Sequence, residues 1–304
     1  MNNSTISGVW TAIATPFVES GAIDWTAFEK HLAHQATGGV NGIVISGTTG
    51  ESPTLTIQEK ISLVRKARAA LPPSVRIMAG SGGNNTAQSV ELSKLCVDAG
   101  ADSLLIVTPP YNKPSLAGLK LHYQMIAESV DVPLCLYHVP GRTAQTLTHT
   151  AIKTLTEIPK VMAVKEASGD IALYSRVVNT SKASILSGDD PTYLASLAVG
   201  GTGVISVVSN IFPEAMVALT RAFASKHNGR ALALHKALMP AIDILFCETN
   251  PCPLKAALEI LGLGRNILRA PLAQVTEENY ALIKKTILAA KDELSIILSM
   301  QANG

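Results

Sequence analysis

Lys165 ends the apolar run Val161–Val164 and is followed by Glu166, Ala167, Ser168 and Gly169. A short β-type run that delivers a lysine to its own C-terminal end opens a chemistry few side chains share. Lysine is among the residues least often buried, and apolar surroundings favour its neutral amine over the ammonium. The lone pair of that amine can attack a ketone and form a Schiff base. The competing reading is structural, with the stem on apolar surface and the ammonium reaching into water. For Lys165 taken alone the structural reading is the commoner case, and its neighbours change the balance.

Tyr137 ends a similar run, Leu134–Leu136. Side chains alternate along a strand, so Cys135 and Tyr137 share one face, as do Val161, Ala163 and Lys165. If both faces point inward, a phenol stands beside the amine, where it can protonate a carbinolamine and shuttle protons. A core tyrosine with a satisfied hydroxyl is the bland alternative. The loop Gly47-Thr48-Thr49-Gly50-Glu51 offers hydroxyls and backbone N–H groups ahead of a helix, an arrangement that suits a small carboxylate, or forms only an ordinary turn. Arg142, in Gly141-Arg142-Thr143 after Pro140, can grip a carboxylate through two parallel hydrogen bonds or form a surface ion pair.

Other signals carry less. His31 and His34 lie three apart with no acidic or cysteine ligand beside them, so a metal site is not expected. Gly80-Ser81-Gly82-Gly83 resembles a phosphate loop only loosely, and the chain has no GxSxG elbow for a serine hydrolase. Glu51 and Glu166 read as orienting or ion-pairing groups. Asp189-Asp190 before Pro191 reads as a helix start.

These residues need a scaffold that gathers strand ends. Strands are expected at Val9–Ala14, Gly42–Ser46, Val75–Ala79, Leu104–Val107, Leu134–Tyr137, Val161–Val164, Ser184–Leu186 and Gly203–Val207. Helices are expected between them: one capped by Asp24 with Phe28 and Leu32 on one face, one opened by the capping box Thr56–Glu59 and stopped by Pro72-Pro73, then Thr86–Ala99, Ser115–Val130, Thr148–Glu157, Ile171–Thr180 and Pro191–Val199. The strand runs are continuous rather than alternating, as when both faces are covered. Eight such units in roughly 225 residues fit a (β/α)8 TIM barrel, whose active sites lie at the C-terminal strand ends. A doubly wound open sheet is the runner-up, but its GxGxxG loop is missing. After Pro213 only helices are expected, at Pro213–Lys226, Arg230–Phe246, Pro253–Leu261 and Thr276–Met300, with Asn228-Gly229 and Gly262 as stops. This divides the chain into a barrel over residues 1–228 and a small C-terminal helical domain over 229–304.

Composition narrows the function. The 304 residues are 47% hydrophobic and 16% charged, with a net charge of +2. No basic block marks a nucleic-acid or membrane surface. Four cysteines (Cys96, Cys135, Cys247, Cys252) lack CxxC spacing and read as free thiols of a reducing cytoplasm. Met1–Thr5 shows no signal-peptide pattern. The uncharged stretch Thr192–Pro213 is interrupted by glycines and Pro213, so it reads as barrel interior rather than a membrane span.

Three ordered stretches, Gly47–Ser52, Tyr137–Thr143 and Val164–Gly169, resemble the signatures of the dihydrodipicolinate synthase and N-acetylneuraminate lyase superfamily. The resemblance is closest to its synthase branch and covers nearly the whole chain. Pro109–Pro114, Ser187–Asp190 and Asn250–Pro253 fit as well. The resemblance implies a cytoplasmic lyase of the diaminopimelate route to lysine, condensing pyruvate with L-aspartate 4-semialdehyde, with no metal or organic cofactor beyond a covalent pyruvate Schiff base on Lys165. It implies that Tyr137 is the central proton donor and acceptor and that Thr48 links it to Tyr111 of a neighbouring subunit. Thr49 would hold the pyruvate carboxylate and Arg142 that of the semialdehyde, with Gly188 and Ile205 lending backbone contacts. It also implies a homotetramer built as a dimer of dimers. The alternatives are an aldolase of the same superfamily, acting on sialic acid, 2-keto-3-deoxy sugar acids or hydroxy-oxoglutarate, and a catalytically silent barrel kept for binding. His138 departs from the asparagine common in the synthases; strand parity turns it away from Lys165, so its effect should be structural. Ile57, Lys60 and Gln88 replace the lysine-holding side chains of feedback-inhibited relatives, so lysine inhibition should be weak or absent.

Overall fold

The computed structural model describes residues 6–299; the readings at Met1–Thr5 and Met300 lie outside them. Eight parallel strands close in sequence order: β1 (Gly8–Ala12), β2 (Gly42–Ile45), β3 (Arg76–Gly80), β4 (Ser103–Val107), β5 (Leu134–His138), β6 (Val161–Glu166), β7 (Ser184–Ser187) and β8 (Gly203–Ser206), with β1 paired to β8. Helices α1 (Trp25–Thr37), α2 (Ile57–Ala70), α3 (Thr86–Asp98), α4 (Leu116–Ser129), α5 (Pro140–Thr143), α6 (His149–Thr156), α7 (Ile171–Thr180), α8 (Tyr193–Ala198) and α9 (Pro213–Ala224) follow the strands. The fold is therefore the expected (β/α)8 barrel and not an open sheet.

Alternation along the strands sorts the apolar residues into two cores. Trp10, Ala12, Val44, Met78, Leu105, Cys135, Ala163, Leu186 and Ile205 fill the barrel interior. Val9, Ile43, Ile77, Leu104, Leu136, Val164, Ile185 and Val204 face the helices. This is why the strand runs read as unbroken apolar segments: each face meets a different core. Local chemistry sets the helix starts. The Asp24 carboxylate accepts from the Ala27 N–H, and Thr56 with Glu59 closes a reciprocal capping box.

The uncharged stretch Thr192–Pro213 becomes α8, β8 and the turn Val208–Asn210, and no helix among the described residues is long and apolar enough to cross a membrane. Asn228-Gly229 does not stop α9. The chain reverses earlier, at Lys226 in the left-handed region (φ 62), and the polar pair opens the next helix. Gly262 does act as a stop: it takes φ 70, and the N–H groups of Gly262 and Leu263 close onto the carbonyls of Glu259 and Leu258, a Schellman-type ending.

Helices α10 (Asn228–Ile244), α11 (Cys252–Ile260) and α12 (Glu277–Ser299) complete the described residues. Leu234, Leu238, Leu254, Ile283 and Ile287 join the outer core of the barrel. Polar ties add to that packing. Lys255, 1% exposed, pairs with Glu51 and donates to the Ile267 carbonyl (2.7 Å). Lys255 and Arg269 also lie over the Phe17 ring, 4.1 and 4.4 Å from its centroid. The Arg269 guanidinium meets both carboxylate oxygens of Glu59 and holds that carboxyl down at about 2, against an ordinary 4.5. A carboxyl whose pKa is depressed on folding lends stability that is complete above its unfolded value and is lost as pH falls toward the folded one. The melting temperature should therefore fall as pH drops from 4.5 to about 2. Glu59→Gln, which keeps the cap, should flatten that part of a melting-temperature-against-pH curve.

Candidate active site

Strands β5 and β6 lie in register with Tyr137 opposite Lys165 and His138 opposite Glu166. Both members of the first pair point into the barrel, and both members of the second point toward the helices. Lys165 is 6% exposed, with its ammonium 4.3 Å from the centroid of the Tyr137 ring. Among the described residues no carboxylate forms an ion pair with it. Cys135 lies on the same face one step below Tyr137; burial pushes its thiol up to about 12, so it stays uncharged. The amine is thus placed against an aromatic face inside the apolar barrel.

Gly188 lets β7 approach this amine. Its N–H donates to the Glu166 carbonyl (2.7 Å), and a Cβ there would stand 2.8 Å from Lys165 Cε and 2.7 Å from Ala167 Cβ. Any larger residue would displace the lysine stem. Ile205 on β8 is 1% exposed and packs in the inner core.

On the outer face, His138 Nε2 accepts from the Leu147 N–H (3.0 Å), which leaves the proton on Nδ1, and Nδ1 donates to Glu166 Oε1 (2.9 Å). The same oxygen accepts from the Ser168 N–H (3.0 Å). His138 and Glu166 therefore lock β5 to β6 behind the lysine and tyrosine, the structural role expected from strand parity. Glu51 is likewise an ion-pairing group, joined to Lys255.

The open cavity above the barrel, about 640 Å³, is lined by Thr48, Tyr137 and Arg142 together with Lys60, Asn84 and Gln88. Lys165 stands against the ring of Tyr137, which lines this cavity. Thr48 sits in the β2 loop, where Ser46 takes a left-handed φ of 57 and Glu51 one of 55. Thr49 is 3% exposed, and its hydroxyl accepts from Asn250 Nδ2 (3.0 Å). Arg142 is carried by α5, a short helix that sequence periodicity missed because only four residues form it. Its guanidinium reaches the Asn250 carbonyl (3.4 Å). Tyr111 does not join these groups within one chain; it is 90% exposed at φ 72.

Two further residues organise the site. Asp190, read from sequence as a helix start, is buried and accepts from the N–H groups of Val207 and Val208 (2.8 and 2.9 Å), which ties the end of β7 to the end of β8. Asn250, at the start of the Asn250–Pro253 stretch, contacts both Thr49 and Arg142. His31 takes no part: it is buried, bonded to the Asn210 carbonyl (3.2 Å) and held near a pKa of 4 by desolvation. Among the described residues no cluster of three or more His, Cys, Asp or Glu side chains could hold a metal ion.

Fold and site together define a (β/α)8-barrel protein with a buried lysine–tyrosine pair at the C-terminal mouth and an open cavity lined by Thr48 and Arg142 above it. The pattern of the Dihydrodipicolinate synthetase family matches residues 5–290, and the chain belongs to that family. It is 40% identical over 288 residues to a 4-hydroxy-tetrahydrodipicolinate synthase of Methanothrix thermoacetophila, covering 94% of this chain and 97% of the relative. Among solved structures, the 4-hydroxy-tetrahydrodipicolinate synthase of Methylacidiphilum fumariolicum superposes with a TM-score of 0.94 at 40% identity, covering 97% of this chain and 99% of that one. The dihydrodipicolinate synthase of Acinetobacter baumannii, solved with pyruvate, gives 0.92 at 37% identity, covering 94% and 99%.

Proposed function

We propose that this chain is a lyase that condenses pyruvate with L-aspartate 4-semialdehyde to give 4-hydroxy-tetrahydrodipicolinate, with Lys165 carrying pyruvate as a Schiff base. Family membership supports the reaction. The observation that carries the site assignment is the inward pairing of Lys165 with Tyr137 across β5 and β6. The neutral amine adds to the ketone carbon of pyruvate, and loss of water leaves the imine. Removal of a methyl proton gives the enamine, whose carbon attacks the aldehyde of the semialdehyde. The amino group of that substrate then displaces Lys165 from the imine carbon and closes the ring. Tyr137 moves the protons, relayed through Thr48 to Tyr111. Thr49 receives the pyruvate carboxylate and Arg142 that of the semialdehyde, while Gly188 and Ile205 present backbone groups to the pocket. The family's chemistry needs no external cofactor, because the imine nitrogen is itself the electron sink.

Tyr111 projects into solvent on its own chain, which supports its working in the site of a second copy. The assembly we propose is a tetramer built as a dimer of dimers, in the cytoplasm with its soluble substrates. Residues 1–228 would be the catalytic barrel and 229–304 the helical region that braces it. The deciding experiment is pyruvate consumption by the purified protein with and without L-aspartate 4-semialdehyde, beside borohydride trapping with pyruvate. Semialdehyde-dependent turnover with mass added at Lys165 upholds the proposal. Turnover of a sialic or keto-deoxy acid instead would replace it.

The same cavity bears on regulation. Lys60 and Gln88 line it, and Ile57 is exposed without a polar atom on its side chain to offer. An ammonium there repels the ammonium groups of free lysine. Millimolar L-lysine should leave the initial rate within about 20% of its uninhibited value; half-inhibition below 1 mM would show that this substitution pattern does not disable the site.

A further inference from the structure

Asn250 precedes α11 and lies far from β2 in sequence, yet its side chain is 6% exposed and its Nδ2 donates to Thr49 Oγ1 at 3.0 Å. A hydroxyl has one proton to give and lone pairs to receive with. A primary amide N–H can only donate, so the Thr49 oxygen acts as acceptor toward Asn250 and its proton is left for another partner. The backbone holds the amide in place: the Asn250 carbonyl accepts from Arg142 Nη2 (3.4 Å), and α11 is anchored on the same loop by the Lys255–Glu51 pair, with the Arg269 N–H donating to Glu51 Oε2 (3.1 Å).

From this geometry we infer that Asn250 is a positioning residue that polarises Thr49, fixing its hydroxyl as a hydrogen-bond donor to the carboxylate of the bound 2-oxo acid. This deepens the proposed function and rests on it. A hydrogen bond to a charged group contributes more than one between neutral groups. Loss of the polarising amide therefore weakens pyruvate capture and leaves the later chemistry, which runs through Lys165 and Tyr137, largely intact. Arg142 meets the backbone of Asn250, not its side chain, so handling of the semialdehyde is spared.

The test compares Asn250→Leu, close to asparagine in volume, and Asn250→Asp, which replaces the donor by an acceptor, with the unaltered full-length protein. The readouts are the pyruvate concentration that half-saturates borohydride-trapped adduct, and the KM of each substrate in turnover. The pyruvate constants should rise about tenfold in Asn250→Leu and on the order of 100-fold in Asn250→Asp, with kcat and the semialdehyde KM within about threefold. Adding Asn250→Leu to Thr49→Val should raise the pyruvate KM no further, because the group it polarises is gone. Additive effects in that double variant, or equal losses of kcat at unchanged pyruvate constants, would overturn the inference and leave the function standing. If Asn250→Leu does not fold, Asn250→Asp alone decides on the same constants. Absence of any adduct in the unaltered protein would overturn both.

Discussion

Lys165→Ala should form no borohydride-trapped adduct with pyruvate and should lose turnover by at least about 10³-fold, because the covalent intermediate has no other amine to form on. The other buried lysine among the described residues, Lys255, is engaged with Glu51 and the Ile267 carbonyl. The variant should nevertheless fold. Lys165 lies one residue before the end of β6 with its neighbours already fixed by strand pairing, and an alanine there removes a polar group from an otherwise apolar interior. Far-ultraviolet circular dichroism should match that of the parent protein. An adduct of unchanged mass in Lys165→Ala would move the nucleophile elsewhere and sink the assignment.

Tyr137→Phe should lower kcat by about 10² to 10⁴-fold, the range over which a positioned proton donor acts. The substitution is informative because the ammonium of Lys165 stands against the ring and not against the hydroxyl. Phenylalanine keeps that aromatic face, so the lysine stays in place and pyruvate should still be trapped, only more slowly. The signature is therefore a split: adduct formed after long incubation, turnover nearly absent. Loss of trapping altogether would mean that the ring had failed to hold the lysine. Turnover within a few-fold of the parent would remove Tyr137 from the proton path.

The lysine–tyrosine pair was legible because it rests on one local rule. Alternation along two strands fixes which residues face inward, and the same rule sent His138 outward to Glu166. The barrel was legible for a related reason: strands covered on both faces leave apolar runs that punctuation separates into eight. Asp190 was not legible. Its role is to receive two backbone N–H groups from a neighbouring strand end, and backbone donors leave no mark on the sequence because every non-proline residue carries one. Asn250 was missed through distance, since its partner Thr49 is 201 positions away. Short α5 escaped because a single turn shows no periodicity. Asn228-Gly229 misled because a residue pair that permits a reversal does not require one; Lys226 had already made it.

The ties between the first fifth of the chain and its last quarter carry a consequence for the order in which the molecule matures. Thr49 takes its hydrogen bond from Asn250, Glu51 its counter-charge from Lys255, and the Phe17 ring its two cations from Lys255 and Arg269. A ribosome delivers Phe17 and the β2 loop early and these partners nearly last. All eight strands leave the exit tunnel before any of the partners exists. Until translation is almost finished, Glu51 has no Lys255 to pair with and Thr49 no Asn250 amide to meet. A chain that stops after β8 would therefore lack both the amide that meets Thr49 and the counter-charge that meets Glu51.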